Sequence, residues 1–296
     1  RVGNGPDVVF SHGWPVSSAT FRRLLPLLAP HVTCHLLDYV GAGSSSFDAT
    51  TDVSVAGHIS ALRRTVDHLG LTDFAVVGHD SGGGTDSDQG PEDLAGMDGN
   101  AVVGADGDGD RPLVGDECGE WLRGDILGIL TAHYLDADTV VTPVSSNTAV
   151  ERSAWFTEVV RTRIGSPYVI EAMQQAVNAG NRCVVGYEAN GGFLTMTPIS
   201  DEGRQMTPLP TRDAVIVALA VLLLAKRRGT PVSLLPGLLP ARFTASDRLT
   251  SFPTELSAVR IAAMATSPEA AEDQFPELGR PVDIDTTDGL RMTFAN

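Results

Sequence analysis

Three aspartates alternate with glycines in the stretch DGDGDR, at Asp106, Asp108 and Asp110. This spacing places three carboxylates on one side of a tight loop, where each can give one oxygen to a hard cation. Mg²⁺ suits such a loop because it prefers a few carboxylates together with water and phosphate oxygens. A calcium-binding EF-hand would need a glutamate at its twelfth position between two helices, but that position is Glu117 and the loop follows a strand pattern. The spacing therefore favours magnesium over calcium.

A second set of reactive residue types lies in FSHGWP at 10–15 and GHDSGG at 78–83. A His-Gly pair after a strand can turn backbone N–H groups towards a developing oxyanion. In GHDSGG the glycines relieve crowding at a strand-to-helix turn, which would hold Asp80 at the sheet edge as a nucleophile. The alternative is that 78–83 is only a tight turn that closes a strand, because the rest of a catalytic apparatus is not evident.

Alternating strand and helix patterns flank both loops and must position them. Apolar strand-like and amphipathic helix-like segments alternate over 7–84, and the alternation resumes from Asn100. Such alternation predicts an α/β fold built on parallel sheets, here in more than one domain. The stretch 85–100 is rich in Gly, Asp and Ser and is predicted to be a linker or a long loop.

Charge is distributed unevenly along the chain. The 296 residues carry a net charge of −16, and the stretch 85–138 contains fourteen Asp or Glu against two Arg. Nucleic acid is not expected as a partner, since phosphate backbones need clustered Lys and Arg, whereas a bound cation is the natural partner of such a stretch. The alternative is that 85–138 is a solvated acidic face.

The spacing of the cysteines and the hydropathy of the sequence both bear on where in the cell the protein is expected. Cys34, Cys118 and Cys183 have unrelated spacings that fit neither a disulfide framework nor a zinc site, and they suit a reducing environment. The apolar run 214–225 is shorter than the roughly 20 residues of a membrane span, and it is predicted to be a buried helix with a basic last turn. No leader pattern follows Arg1, so we expect a cytoplasmic protein without membrane contact, although a first residue other than Met is also typical of a fragment.

The first 84 residues resemble the α/β-hydrolase superfamily through FSHGWP, GHDSGG and the stretch DYVGAGSS at 38–45. With aspartate in the nucleophile position, these stretches look like the epoxide hydrolase and haloalkane dehalogenase branches. The resemblance implies that Asp80 attacks carbon to form an ester, with Trp14 beside the oxyanion turn. The catalytic acid and histidine of that family lie far downstream, and here His133, in a helix-like segment, is the only histidine after His79. Asp80 is therefore expected to be a vestigial hydrolase nucleophile.

Residues from about 100 to 296 resemble the α-D-phosphohexomutases, and most closely the bacterial phosphomannomutases. The matching stretches occur in the family's order along the chain. They are GADGDGDRPLVGDECGEWLRGDILGIL, VVTPVSSNTAVE, VRTRIGSPYVIEAM, VVGYEANGGFLT, LPTRDA and LPARFTASDRLTSFP.

This second resemblance implies a role for individual residues. Mg²⁺ would be held by Asp106, Asp108 and Asp110, and Arg111 would contact the substrate or the transferring phosphoryl oxygens as a catalytic residue. A hexose phosphate, of mannose or glucose, would be the substrate. The residues implied to bind it are Glu188, Asn190, Gly191, Gly192, Arg163, Gly165 and Ser166.

Two parts of the mutase family pattern have no counterpart in these residues. Neither its phosphoserine loop nor its C-terminal phosphate-binding loop is matched, so a partner chain that supplies missing domains is one expectation. The strand patterns FAVVG and AVVGA both end in Gly-Asp loops, so the hydrolase-like strands are expected to replace the missing half of the second mutase domain. The predicted domains are a hydrolase-like segment at 1–84, a linker and partial second mutase domain with the metal loop at 85–120, a third mutase domain with the sugar loop at 121–242 and the start of a truncated C-terminal domain at 243–296.

Three functions remain open from the sequence. The first is an enzyme of the phosphohexomutase class, impaired by its missing parts. The second is a hydrolase that acts through Asp80. The third is a protein that binds Mg²⁺ and a sugar phosphate without catalysis, or a fused fragment without a function.

Overall fold

The computed structural model describes residues 1–13, 15–79, 102–106, 109–201, 204–245 and 250–295. The predicted multi-domain α/β fold is confirmed, since helices and strands alternate along the chain. The strands in the described residues are β1 (Val2–Gly3), β2 (Asp7–Ser11), β3 (Thr33–Leu37), β4 (Phe74–Gly78), β5 (Val102–Ala105), β6 (Pro112–Gly115), β7 (Thr139–Pro143), β8 (Glu158–Thr162), β9 (Val184–Tyr187), β10 (Phe193–Thr195), β11 (Ile199–Asp201), β12 (Arg204–Met206), β13 (Pro281–Asp285) and β14 (Arg291–Phe294).

The helices follow the amphipathic segments of the sequence. Two 3₁₀ helices, Ser18–Arg23 and Val232–Leu238, accompany them. The α-helices in the described residues are α1 (Leu25–Leu28), α2 (Val55–Leu69), α3 (Gly124–Tyr134), α4 (Ala149–Arg152), α5 (Ser166–Asn178), α6 (Ala214–Arg228), α7 (Thr254–Thr266) and α8 (Pro268–Gln274).

One six-stranded sheet joins the hydrolase-like strands to the strands around the acidic loop. Its order is β1-β3-β2-β4-β5-β6, and β3, β2, β4 and β5 are parallel, whereas β1 and β6 pair antiparallel with their neighbours. Val76 and Val77 of β4 pair with Val102 and Val103 of β5. The two strands are thus neighbours in one sheet, as expected if the hydrolase-like strands extend the mutase-like ones. The division into domains at 84 and 120 stays a prediction.

Both faces of this first sheet are covered near its centre. Val9 and Val76 pack with α2 residues on one face, and Phe10 packs against Phe21 of the 3₁₀ helix on the other. Adjacent residues of β2 point to opposite faces because side chains alternate along a strand. The buried strands therefore form a two-sided core that fixes the sheet edge where β2 and β4 end.

A second, four-stranded sheet forms the centre of a three-layer unit. Its order is β10-β9-β7-β8, with β7 parallel to β8 and β9, and β10 antiparallel to β9. The helices α3 and α6 cover one face and α5 covers the other, through Val169 and Met173. Val114 of β6 is fully buried in the same cluster as Leu127 and Val217, so the first sheet packs directly against α3 and α6.

The apolar run at 214–225 lies in α6, as predicted, and its ends have clear sequence causes. Asp213 accepts hydrogen bonds from the N–H groups of Val215 at 3.0 Å and Ile216 at 3.1 Å, which caps the helix start. Gly229 ends it in the left-handed conformation at φ 62°, after three basic residues in the last turn. Among the described residues, no helix has both the length and the apolarity that crossing a membrane requires.

Candidate functional site

The carboxyl ends of four parallel strands meet at one edge of the first sheet. Asp38 follows β3, His12 follows β2, His79 follows β4 and Asp106 follows β5. Ligands of open α/β sheets bind outside the carboxyl ends of the strands. Among the described residues, this edge therefore carries Asp106 of the acidic loop and residues next to the predicted hydrolase positions.

The acidic loop connects the antiparallel strands β5 and β6 and is closed by its own first aspartate. Oδ1 of Asp106 accepts from the backbone N–H of Asp110 at 3.2 Å and of Arg111 at 3.0 Å. The loop turns at Gly109, whose φ of +76° is in the region that glycine adopts without strain. These contacts hold Asp106, Asp110 and Arg111 together in one closed loop.

The donors of the acidic loop are compatible with a hard cation. Oδ2 of Asp106 is buried and accepts no hydrogen bond from a described residue, and it forms an ion pair with Nε of Arg111. Oδ1 of Asp110 lies 3.3 Å from the same Nε. Asp108, the third predicted ligand, lies outside the described residues, and no group of three metal-binding side chains occurs within those that are described. Two hard carboxylates on one loop fit Mg²⁺, and the metal site stays a prediction.

The predicted sugar loop follows β9 and is a tight turn. The N–H of Gly191 donates to the carbonyl of Glu188 at 2.9 Å, and the N–H of Glu188 donates to the carbonyl of Gly192 at 2.9 Å. Oδ1 of Asn190 accepts from the N–H of Gly192 at 3.0 Å. The turn requires glycine at 191, where φ is +93°.

The sugar loop packs against the residues that flank the acidic loop. A Cβ at Gly191 would lie 3.2 Å from Cγ of Pro112, the first residue after the acidic loop. A Cβ at Gly124, at the start of α3, would lie only 2.3 Å from the backbone nitrogen of Gly191. The structure thus brings the predicted metal loop and the predicted sugar loop into contact, although 77 residues separate Arg111 from Glu188 in sequence.

Arg212 links the two loops and was not predicted as a site residue. Its Nη1 donates to Oδ2 of Asp110 at 2.7 Å, and its Nε donates to Oε2 of Glu188 at 2.7 Å. The hydrogen bond to Asp110 raises the pKa of the guanidinium, burial opposes this, and Glu188 adds to the rise. The side chain of Glu188 is only 6% exposed, so its carboxylate depends on this arginine for charge compensation. The stretch LPTRDA pointed to the right segment, but its spacing gave no sign that Arg212 contacts Asp110.

The predicted residues Arg163, Gly165 and Ser166 lie at the carboxyl edge of the second sheet, after β8. Glu188 follows β9 at the same edge, with β7 between the two strands. The guanidinium of Arg163 stacks over the ring of Tyr168 at 5.3 Å. Gly165 has φ 126° and precedes α5, which begins at Ser166. The structure places this group on the same edge as the sugar loop, and its role in binding stays a prediction.

The hydrolase-like edge is held by hydrogen bonds. His12 is fully buried, with Nδ1 2.8 Å from the carbonyl of Gly13 and Nε2 accepting from the N–H of Tyr39 at 3.1 Å. Oδ2 and Oδ1 of Asp38 accept from the N–H groups of Ser44 and Ser18 at 2.8 and 2.7 Å. Burial raises the pKa of Asp38, but these hydrogen bonds outweigh it and hold the pKa below its ordinary value.

Neither Asp80 nor Trp14 belongs to the described residues, so the hydrolase roles predicted for them remain predictions. The neighbour of Asp80 in sequence is described. The N–H of His79 donates to the carbonyl of Ser11 at 3.0 Å, and its Nε2 lies 3.8 Å from where a Cβ on Gly109 would be. His79 and Gly109 of the acidic loop are therefore adjacent at the sheet edge.

Glu117, which would be the twelfth residue of an EF-hand calcium loop, is bound to another part of the structure. Its carboxylate accepts from the hydroxyl of Ser233, and from the N–H of Ser233 at 3.3 Å. It therefore anchors the second 3₁₀ helix. Because the acidic loop joins two strands and Glu117 is engaged elsewhere, the EF-hand arrangement is not formed.

Family models match two parts of the chain. A model of the alpha/beta hydrolase fold matches residues 6–85, and a model of phosphoglucomutase/phosphomannomutase, alpha/beta/alpha domain III, matches residues 123–242. The resemblance is composite. Both resemblances expected from the sequence are confirmed, each over its own part of the chain.

Individual relatives show the same division. A phosphomannomutase of Salmonella muenchen is 42% identical over 201 residues, which cover 67% of this chain and 41% of that protein. Haloalkane dehalogenase 2 of Mycobacterium bovis is 32% identical over 81 residues, or 27% of this chain and 28% of that protein. This chain therefore spans about two fifths of the length of the phosphomannomutase that it matches.

A solved structure agrees in fold with the whole chain. The phosphoglucomutase/phosphomannomutase family protein of Burkholderia thailandensis has a TM-score of 0.56 and 16% identity, covering 100% of this chain and 53% of that one. At this identity the likeness concerns the fold alone. The phosphohexomutase-like part is thus supported by sequence and by architecture.

Proposed function

We propose that this composite chain binds Mg²⁺ and a hexose phosphate where the acidic loop meets the sugar loop. The observation that carries the proposal is the shared guanidinium of Arg212, which bonds to Asp110 and Glu188 at 2.7 Å each. Two residues assigned separately to metal and sugar binding therefore belong to one structural unit. The names of the phosphomannomutase relatives and of the matching phosphoglucomutase/phosphomannomutase model support the substrate class, a mannose or glucose phosphate.

The residues of this unit have distinct tasks under the proposal. Asp106, Asp108 and Asp110 hold the cation, which when bound polarises a phosphoryl group as a Lewis acid. Arg111 is 43% exposed in its side chain, so its guanidinium can reach a phosphoryl oxygen at the loop surface. Glu188 and Asn190 orient the sugar hydroxyls, while Gly191 lets the backbone approach the ring.

Binding rather than efficient turnover is the proposed activity of the 296 residues. A mutase moves a phosphoryl group from a serine to the sugar and back, and no stretch of this sequence matches the phosphoserine loop. Positioning groups alone cannot complete such a cycle, because a phosphoryl store is needed for the transfer. Efficient mutase activity therefore requires a phosphoryl group supplied from outside these residues.

The test is calorimetric titration of the purified chain with Mg²⁺, followed by mannose 6-phosphate in the presence of Mg²⁺. We expect Asp106→Asn to remove the heat of Mg²⁺ binding, because this carboxylate supplies the buried oxygen at the loop. Asp283→Asn is the matched control, since Asp283 is exposed on β13, outside the site. Equal Mg²⁺ affinities for the chain and both variants would refute the proposal.

A further inference from the structure

A cavity of about 360 Å³ opens between α4 and the hairpin of β13 and β14. It contains none of the residues of the acidic loop or of the sugar loop. Its size is in the range of cavities that take small ligands, roughly 300–1,000 Å³. The residues that line it are Thr148, Glu151, Arg152, Arg242, Arg291, Thr293 and Phe294.

Three guanidinium groups line this arginine cavity, in a protein whose net charge is −16. Within the described residues, Arg152, Arg242 and Arg291 form no ion pair, and Nε of Arg242 is buried without a hydrogen-bond partner. Arg291 makes a single long hydrogen bond, from Nη1 to the carbonyl of Val144 at 3.5 Å. Each of the three guanidinium groups therefore keeps N–H donors that can bind a ligand.

The carboxylates near the cavity compensate these arginines only in part. Glu151 lines the cavity, but it is bound on both oxygens by Arg161, from Nε at 2.6 Å and from Nη2 at 2.9 Å. Asp285 faces Arg291 across the hairpin; hydrogen bonds from Thr287 and the charge of Arg291 lower the pKa of Asp285, although the two side chains form no ion pair. The lining of the arginine cavity thus carries an excess of positive charge.

Hydrogen bonds from Asn147 fix the backbone of the cavity lining at Arg242. Nδ2 of Asn147 donates to the carbonyl of Arg242 at 3.2 Å and to the hydroxyl of Thr244 at 3.0 Å. The N–H of Asn147 in turn donates at 3.1 Å to the fully buried Asp125 of α3. These bonds hold the backbone of Arg242 in place, so its loop does not have to be ordered when a ligand binds.

We infer that the arginine cavity binds a phosphate dianion, free or as a phosphate monoester. Planar guanidinium groups bind phosphate oxygens through paired, charge-assisted hydrogen bonds, and the hydroxyls of Thr148 and Thr293 add neutral donors. A bound dianion also offsets the mutual repulsion of the three arginines. The inference does not rest on the proposed function, because the cavity shares no residue with the loops assigned to Mg²⁺ and sugar.

The experiment is calorimetric titration with inorganic phosphate at constant ionic strength, in EDTA, so that no metal contributes. We expect the affinity to fall about tenfold or more in Arg242→Met and in Arg291→Met, because each loses charge-assisted hydrogen bonds. Arg242→Lys keeps the positive charge but loses the paired N–H donors of the guanidinium group, and we expect an intermediate affinity for phosphate. Arg182→Met is the matched control, since Arg182 is exposed in the segment before β9, at the opposite edge of the second sheet.

Several results of these titrations would overturn the inference of phosphate binding. Absence of phosphate binding, or equal affinity in all variants, would overturn the inference. So would loss of phosphate binding in Asp106→Asn with Arg242→Met unaffected, because the anion would then lie at the acidic loop. Repeating the titration with mannose 6-phosphate and with mannose separates the sources, since a monoester site binds the ester more tightly than free phosphate and does not bind the neutral sugar.

Discussion

Nη1 of Arg212 donates to Oδ2 of Asp110 at 2.7 Å, although 102 residues separate the two in sequence. The same guanidinium reaches Glu188 with Nε and Nη2, so one side chain spans the acidic loop and the sugar loop. The approach is close, since a Cβ at Gly192 would lie 2.7 Å from Cδ of Arg212. The relative position of the two loops therefore depends on one arginine.

We expect Arg212→Met to lower the free energy of unfolding by about 1–3 kcal/mol, because it leaves the largely buried Glu188 carboxylate without its counter-charge. The measurement is urea denaturation followed by circular dichroism, with Arg182→Met as control. Adding Glu188→Gln should recover part of the loss, since the uncompensated charge is then removed. Strictly additive effects of the two substitutions would show that the pair does not interact.

Gly124→Ala tests the contact between α3 and the sugar loop. The added Cβ would lie 2.3 Å from the backbone nitrogen of Gly191, so helix or loop must shift, and we expect a destabilisation of about 1–3 kcal/mol. Gly237→Ala is the matched control, because nothing lies within 4 Å of its Cβ position. If Gly124→Ala were as stable as that control, the close packing of the loop on α3 would be wrong.

Hydrogen exchange tests the continuous six-stranded sheet. We expect the amides of β2, β4 and β5 to be protected to a similar degree, because they belong to one hydrogen-bonded ladder with buried strands. The measurement is exchange followed by mass spectrometry of peptides that cover 7–11, 74–78 and 102–105. Rapid exchange in the first two with slow exchange in β7 and β9 would separate the hydrolase-like part from the rest.

The stability of the fold should fall in mild acid because of His133. Burial lowers the pKa of this histidine, Arg228 and Arg227 lower it further, and Asp136 opposes them. The unfolded chain therefore binds the proton more readily, so stability is complete above the ordinary pKa of 6.5 and decreases as the pH falls below it. The pKa of His58 is also lowered, chiefly by burial, and adds to the same slope.

His133→Phe keeps the ring stacking on Trp155, whose centroid is 4.0 Å away, and removes the titrating group. We expect the Tm of this variant to decline less between pH 6.5 and 5.5 than that of the parent chain. His68→Phe is the control, since His68 is exposed on α2. A decline identical to that of the parent chain would exclude His133 as a source of the pH dependence.

Much of the fold follows from local patterns in the sequence. The buried helix over 214–225 and its basic last turn were predictable, because apolar content, an Asp cap and a terminal Gly all agree there. The pattern ATFRRLLPLLA at 19–29 predicted a single helix, but the segment divides into a 3₁₀ helix and the short α1, with Pro26 at the first turn of α1. The return strand β6 also went unpredicted, because only four residues form it.

The site was predictable only in its separate loops. Glycine and carboxylate spacing marks 106–111, but no local pattern shows that Arg212 compensates Asp110 or that Gly124 packs on Gly191. Such contacts depend on how α3, α6 and the two sheets pack. These contacts arise from tertiary packing, whereas local propensity and periodicity determine only the separate helices, strands and loops.

The junction between β4 and β5 is a main-chain ladder; β4 lies in the part that matches the alpha/beta hydrolase model, and β5 lies between the two matched parts. A strand edge presents the same row of N–H and C=O groups whatever family its side chains come from. Val76 and Val102 need only be apolar and extended for the ladder to continue. Parallel sheets can therefore be extended at strand boundaries with little loss of backbone pairing, and the residues that follow the two strands, His79 and Asp106, then lie at one edge.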